Sequence, residues 1–92
     1  MVIHNTQVDK DRIRAKFIKL LLFNCGIEQK KLAEGICMKE STLAIKMQGK
    51  TKFTPDVLIR IADFFDLPKQ AKFDLLNGNE VNIIDLYREI ER

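Results

Sequence analysis

Apolar residues recur along this chain at the spacing of a helix and nowhere alternate over a useful length, and that periodicity constrains the fold more than any other feature. The clearest case starts at Thr54-Pro55-Asp56. Thr suits the cap, Pro suits the first helical position because the N–H it lacks has no partner there, and Asp sits near the positive end of the helix dipole. Val57, Leu58, Ile61, Ala62 and Phe65 then make one broad apolar face, with Pro68 expected to stop the helix. Upstream, Asp9–Asn24 carries Ile13, Phe17, Leu20, Leu21 and Phe23 close to the helical period, with Asp9 as N-cap or first-turn acid and Gly26 as the stop. Between these lie two short helices, about 29–36 with Leu32, Ala33 and Ile36 facing inward, and about 40–48 ending at Gly49. A fifth is expected over 69–76, broken by Asn77-Gly78, and a sixth beyond Asn79 with Ile83, Leu86, Tyr87 and Ile90 along one side. The pattern predicts an all-α chain, a compact bundle of five or six short helices.

Ninety-two residues suffice for one modest core. Residues 1–67 are expected to hold that core with an N-terminal arm, and residues 68–92 to be a helical extension of the same domain. Cys25 and Cys37 are the only cysteines and His4 the only histidine, which argues against a zinc site, another metal or a disulfide scaffold. The apolar run Leu20-Leu21-Leu22-Phe23 is far too short to span a membrane, and the chain is expected to be cytoplasmic. Enzyme chemistry finds no footing: there is no Ser/His/Asp or Cys/His grouping, no Gly-rich phosphate loop and no clustered carboxylates, and no cofactor is implied.

Charge is unevenly distributed. Residues 1–52 hold eleven Lys and Arg against five Asp and Glu, a net of +6, whereas residues 53–92 hold five against eight, a net of −3. A basic half suggests a polyanionic partner.

The two short central helices, separated at Cys37-Met38, have the spacing of a helix-turn-helix. Ala33 stands where the second helix crosses closely, and Leu32, Ile36, Met38 and Leu43 are the apolar pins. On a helical wheel Glu40, Ser41, Ala44, Ile45 and Gln48 share one arc, opposite Leu43 and Lys46. An outward arc of small and hydrogen-bonding residues allows a helix to seat deeply in a major groove, where Ser and Gln can pair with base edges and Ala or Ile can meet thymine methyls. Lys50 and Lys52, after Gly49, stand where phosphates would lie. A plain solvent-exposed helix in a small bundle is the competing interpretation.

Gln29-Lys30-Lys31-Leu32-Ala33-Glu34, then Met38, Ser41-Thr42-Leu43 and Gly49-Lys50, resemble the lambda-repressor-like (Cro and XRE-type) helix-turn-helix family over roughly residues 10–67. The stretch Ser41–Thr54 is especially similar to a subgroup of phage and prophage regulators of Gram-positive bacteria. The resemblance implies a sequence-specific regulator of transcription, a repressor, binding pseudo-palindromic double-stranded DNA as a homodimer. It further implies that Gln29 binds a phosphate or braces the recognition helix, that Lys39, Glu40, Ser41, Ala44, Ile45 and Gln48 occupy base-facing positions, and that Lys50, Thr51 and Lys52 clamp backbone. Several positions depart from the family pattern. Cys37 replaces a turn Gly that often needs a left-handed backbone, at a cost of about 1 kcal/mol, and its thiol is expected to be a small buried group. Many relatives pair a first-helix Arg with a Glu three residues after the recognition helix's second core position; here those positions read Leu22 and Met47, and replacing both charges together can be neutral or stabilising. Glu40 is expected to pair with a nearby lysine, the alternative being to accept from a cytosine amino group, and Lys46, at a usually buried position, to send its ammonium outward.

In residues 68–92 Phe73, Leu75, Leu76, Ile83, Ile84, Tyr87 and Ile90 exceed what a small core needs. Ile83, Tyr87 and Ile90 fall on one helix stripe and are the dimer candidates. The same residues also fit a segment that caps the monomer core, or a surface for another protein, as in an antitoxin or anti-repressor partner.

Overall fold

The computed structural model describes residues 7–80, with side chains from residue 10 onward. Its helices are α1 (Gln7–Cys25), α2 (Gln29–Gly35), α3 (Glu40–Met47), α4 (Pro55–Phe64) and α5 (Lys69–Asn77). No strand occurs among the described residues, and the chain is an all-α bundle as its periodicity requires. The helix expected beyond Asn79 lies outside the described residues, and with it Ile83, Tyr87 and Ile90. α1 packs against α3 and α5, α2 against α3 and α4, and α4 against α5. One core joins them all, with Ile18, Leu21, Leu32, Ile36, Leu43, Leu58, Ile61 and Leu75 almost fully enclosed.

α1 starts two residues earlier than expected, so Asp9 falls in its first turn and does not cap it. Its buried stripe is also rotated from the expected one. Ala15, Phe17, Ile18, Leu21 and Leu22 face the core, Ile13 and Leu20 are only half-buried, and Phe23 is 83% exposed. Two charged residues, Asp11 and Arg14, lie on the buried face at 5% and 6% exposure. Arg14 explains the arrangement. Its Nη1 donates to Asp11 Oδ1 at 2.8 Å, while Nε donates to the Leu75 carbonyl at 3.0 Å and Nη2 to the Leu76 carbonyl at 2.6 Å. The last carbonyls of a helix have no intrahelical donor and carry the negative end of the dipole, so a buried guanidinium both satisfies and complements them. α5, with Ala71 and Leu75 buried, is thereby tied to α1 as part of the common core.

Helix ends follow local chemistry, with one correction. Thr54 Oγ1 accepts from the Val57 N–H at 3.4 Å, and Pro55 occupies the first turn of α4. The stop of α4 comes before Pro68: Asp66 adopts a left-handed backbone, φ 52°, and the Leu67 N–H reaches back to the Ala62 carbonyl at 3.0 Å. Asp tolerates that region better than most side chains, so it ends the helix. Pro68 instead precedes α5.

Candidate nucleic-acid interface

α2, the turn and α3 form a helix-turn-helix whose geometry is set by a few contacts. Ala33 is fully enclosed and its carbonyl accepts from the Met38 N–H at 2.9 Å, while the Cys37 N–H donates to the Glu34 carbonyl at 3.2 Å. Cys37 takes the left-handed conformation expected at this position, φ 58°. Its thiol is exposed, not buried, because that backbone directs the side chain away from the packed helices; Cys25 is exposed too. The turn is held from behind. Arg60 of α4 donates to the Ile36 carbonyl at 3.2 Å while its other nitrogen pairs with Asp56 at 3.1 Å. A Cβ on Gly35 would lie 2.3 Å from the Phe64 ring, so any larger residue there would force that ring to move.

α3 is anchored by Leu43 and Met47, both buried. Leu22 shares the core cluster with Met47, so the two positions that depart together from the resembled family are both filled by enclosed apolar groups. The opposite side of α3 is open. Lys39, Glu40, Ser41, Ile45 and Gln48 are exposed and Ala44 is half-buried. Thr42, outside the expected arc, is exposed as well and belongs to this face, because the buried pair Leu43 and Met47 rotates the outward side of α3 toward it. Glu40 has no cation within ion-pair distance among the described residues, so the expected lysine pair does not form. It stands in the first turn of α3, where a negative charge suits the dipole.

The loop after α3 is fixed at both ends. Gly49 at φ 81° allows the Lys50 N–H to return to the Ile45 carbonyl at 3.1 Å, and Phe53 is buried in the core. Lys46 is half-buried and its ammonium reaches an exposed position, where Nζ donates to the Lys52 carbonyl at 2.8 Å and ties the loop to the helix. Lys50, Thr51 and Lys52 are thereby presented on an ordered turn beside Gln48, all exposed. Gln29 is half-buried at the first position of α2.

One further set of residues escaped the reading of the sequence. A cleft of about 400 Å³ opens between α1 and the end of α3, with Arg12, Lys16 and Lys19 on one wall and Gln48 and Gly49 on the other. Spacing of four and three residues puts the three cations on one strip of α1, but their position next to α3 depends on a packing contact that periodicity does not reveal.

Among the described residues no cluster of three or more His, Cys, Asp or Glu side chains is placed to hold a metal, and no helix is long and apolar enough to cross a membrane. Compared with protein-family models, with curated proteins and with solved structures, the chain matches none.

Proposed function

We propose that this chain is a sequence-specific double-stranded DNA-binding regulator of transcription, a Cro-like repressor of phage or mobile-element type acting in the bacterial cytoplasm. In this reading α3 enters the major groove. The observation that carries it is the two-sidedness of α3: Leu43 and Met47 fix it to the core, while Ser41, Thr42, Ile45 and Gln48 face outward beside the tethered Lys50–Lys52 turn. Ser, Thr and Gln offer hydrogen-bonding groups to base edges, Ile45 offers an apolar surface to a thymine methyl, and the lysines meet phosphates. Readers of this kind act as two-fold dimers on pseudo-palindromes, with half-sites about 34–36 Å apart. A homodimer through the segment beyond residue 80 belongs to the same proposal.

A second reading has its own observation. Phe73 on α5 is 50% exposed and Phe23 at the end of α1 is more so, which favours a protein-interaction module of antitoxin or anti-repressor-partner type. The two separate in one experiment. Duplexes selected from random DNA by the purified chain are titrated against scrambled duplexes at several salt concentrations. The DNA reading expects preference for the selected duplex and a log–log salt slope of roughly −4 to −5 per monomer for five or so phosphate contacts. Equal affinity for the two duplexes would refute it.

A further inference from the structure

We infer that Arg12, Lys16 and Lys19 form a second phosphate-binding surface, a rail on α1 that grips the DNA backbone strand flanking the groove entered by α3. The inference rests on the DNA-binding reading and adds to it a strand contact made by α1 across the cleft from the end of α3.

Three observations support it. The three side chains are exposed, and none makes an ion pair or hydrogen bond with a described residue. Like charges three and four residues apart on a helix repel, so the strip is mildly unfavourable until a polyanion arrives. The neighbouring Arg14 on the same helix is treated oppositely, buried and bonded on all sides, so α1 separates a structural cation from a row of unused ones. The strip also faces a defined space. The cleft it lines is closed opposite by Gln48 and Gly49, so a strand lying there would touch the rail and the end of α3 at once. The floor is apolar, with Ala15 and Met47 both buried, and offers nothing to compete for the ammonium groups. At 1.5 Å per residue the strip is about 10 Å long, a linear array suited to a backbone more than to a single small anion.

The rail carries charge and no base-reading group. Its loss should therefore weaken every duplex alike. The test compares the intact chain with the combined variant Arg12→Gln, Lys16→Gln, Lys19→Gln, with Lys52→Ala as a reference and with Lys16→Arg, Lys19→Arg as the charge-keeping control. Binding is followed by anisotropy on selected and scrambled duplexes across a salt series. Thermal melting verifies that each variant is folded. At about 0.9 in log–log slope per phosphate, the Gln variant should lower the slope by about 2–3, while the Arg control keeps it. The affinity ratio between selected and scrambled duplex should stay unchanged. A neutral methylphosphonate placed singly along the flanking strand should weaken the intact chain at one or two positions and have no further effect on the Gln variant. A folded Gln variant with the slope of the intact chain, while Lys52→Ala lowers it, overturns the rail and leaves the DNA reading standing. Equal binding of the two duplexes by the intact chain refutes sequence-specific reading, yet the slope difference still supports the rail. An intact chain that binds no duplex overturns both. Loss of binding to phosphatidylserine vesicles with DNA binding untouched also overturns the rail, assigning the strip to a membrane surface.

Discussion

The two sides of this molecule handle their positive charges differently. On α4 and α5, Arg60 pairs with Asp56 and Lys72 with Asp63, at 3.1 and 3.5 Å, and only Lys69, at the start of α5, has no acidic partner among the described residues. At the α1–α5 seam Arg14 is enclosed with Asp11 and two carbonyls. Around α3, Arg12, Lys16, Lys19, Lys50 and Lys52 point to solvent without an acidic partner among the described residues. A cation answered within the chain serves the fold, and its loss is felt in stability. A cation left unanswered next to an ordered cleft contributes nothing to the fold, and its loss is felt only when something binds. Stability and affinity should therefore respond to different lysines and arginines.

The largest effect belongs to the enclosed cation. Arg14→Met leaves the Asp11 carboxylate in the interior with its guanidinium partner gone, takes the side-chain donor from the Leu76 carbonyl, and leaves the Leu75 carbonyl with the Gly78 N–H alone. Removing one partner of a buried pair costs about 3–5 kcal/mol, and urea unfolding should register a loss of that size. A loss below about 1 kcal/mol, the range of exposed pairs, would erase the contrast between the two sides.

The next effect should appear in binding and leave the fold untouched. Gln48→Ala removes an exposed group at the end of α3, and we expect relaxed preference at one or two base pairs with a cost of about 1–3 kcal/mol at the selected site. A mismatch series checks this; uniform weakening across all duplexes would make Gln48 a backbone contact instead. Lys52→Ala should show that uniform weakening, with a salt slope smaller by about one. Its carbonyl, not its side chain, receives Lys46, so the loop tether survives the substitution.

How far the sequence reveals these distinctions depends on whether the partner is local. Thr54-Pro55, Gly26 and Gly49 mark helix ends through interactions within a few residues, and the helices fall where those signals put them. The outward face of α3 was legible in most of its positions, Glu40, Ser41, Ile45 and Gln48 with buried Leu43 behind them. The burial of Met47 turns the face toward Thr42, which the helical wheel did not include. The phase of α1 was not. Its buried stripe contains Asp11 and Arg14, which look like surface residues until α5, more than sixty positions away, supplies the carbonyls that make burial tolerable. Phe23, which looks like core, is left outside by the same rotation. Cys37 was misplaced on a smaller scale, turned outward by its own backbone, and the carbonyl that the outward Lys46 finds six residues on was not legible. The α1 cations were visible as a spacing, but their meaning needed the contact between α1 and α3.

The smallest effect tests the other half of the comparison. Lys72 reaches Asp63 across the α4–α5 packing, with side chains 39% and 68% exposed. Water and salt screen a pair this open, and ordering two flexible side chains offsets part of the attraction, so such pairs contribute about 0.2–1 kcal/mol. Lys72→Gln should lower stability by no more than that, and the loss should shrink as salt is raised. More telling is what should stay constant. Lys72→Gln removes one positive charge, as Lys52→Ala does, so a binding mode driven by net charge alone would lower the salt slope equally in both. If the partner instead meets the α3 side, only the Lys52 variant changes the slope. Equal slopes for the two variants would mean that the paired and unpaired sides are equivalent to the ligand, and the division drawn between them would fail.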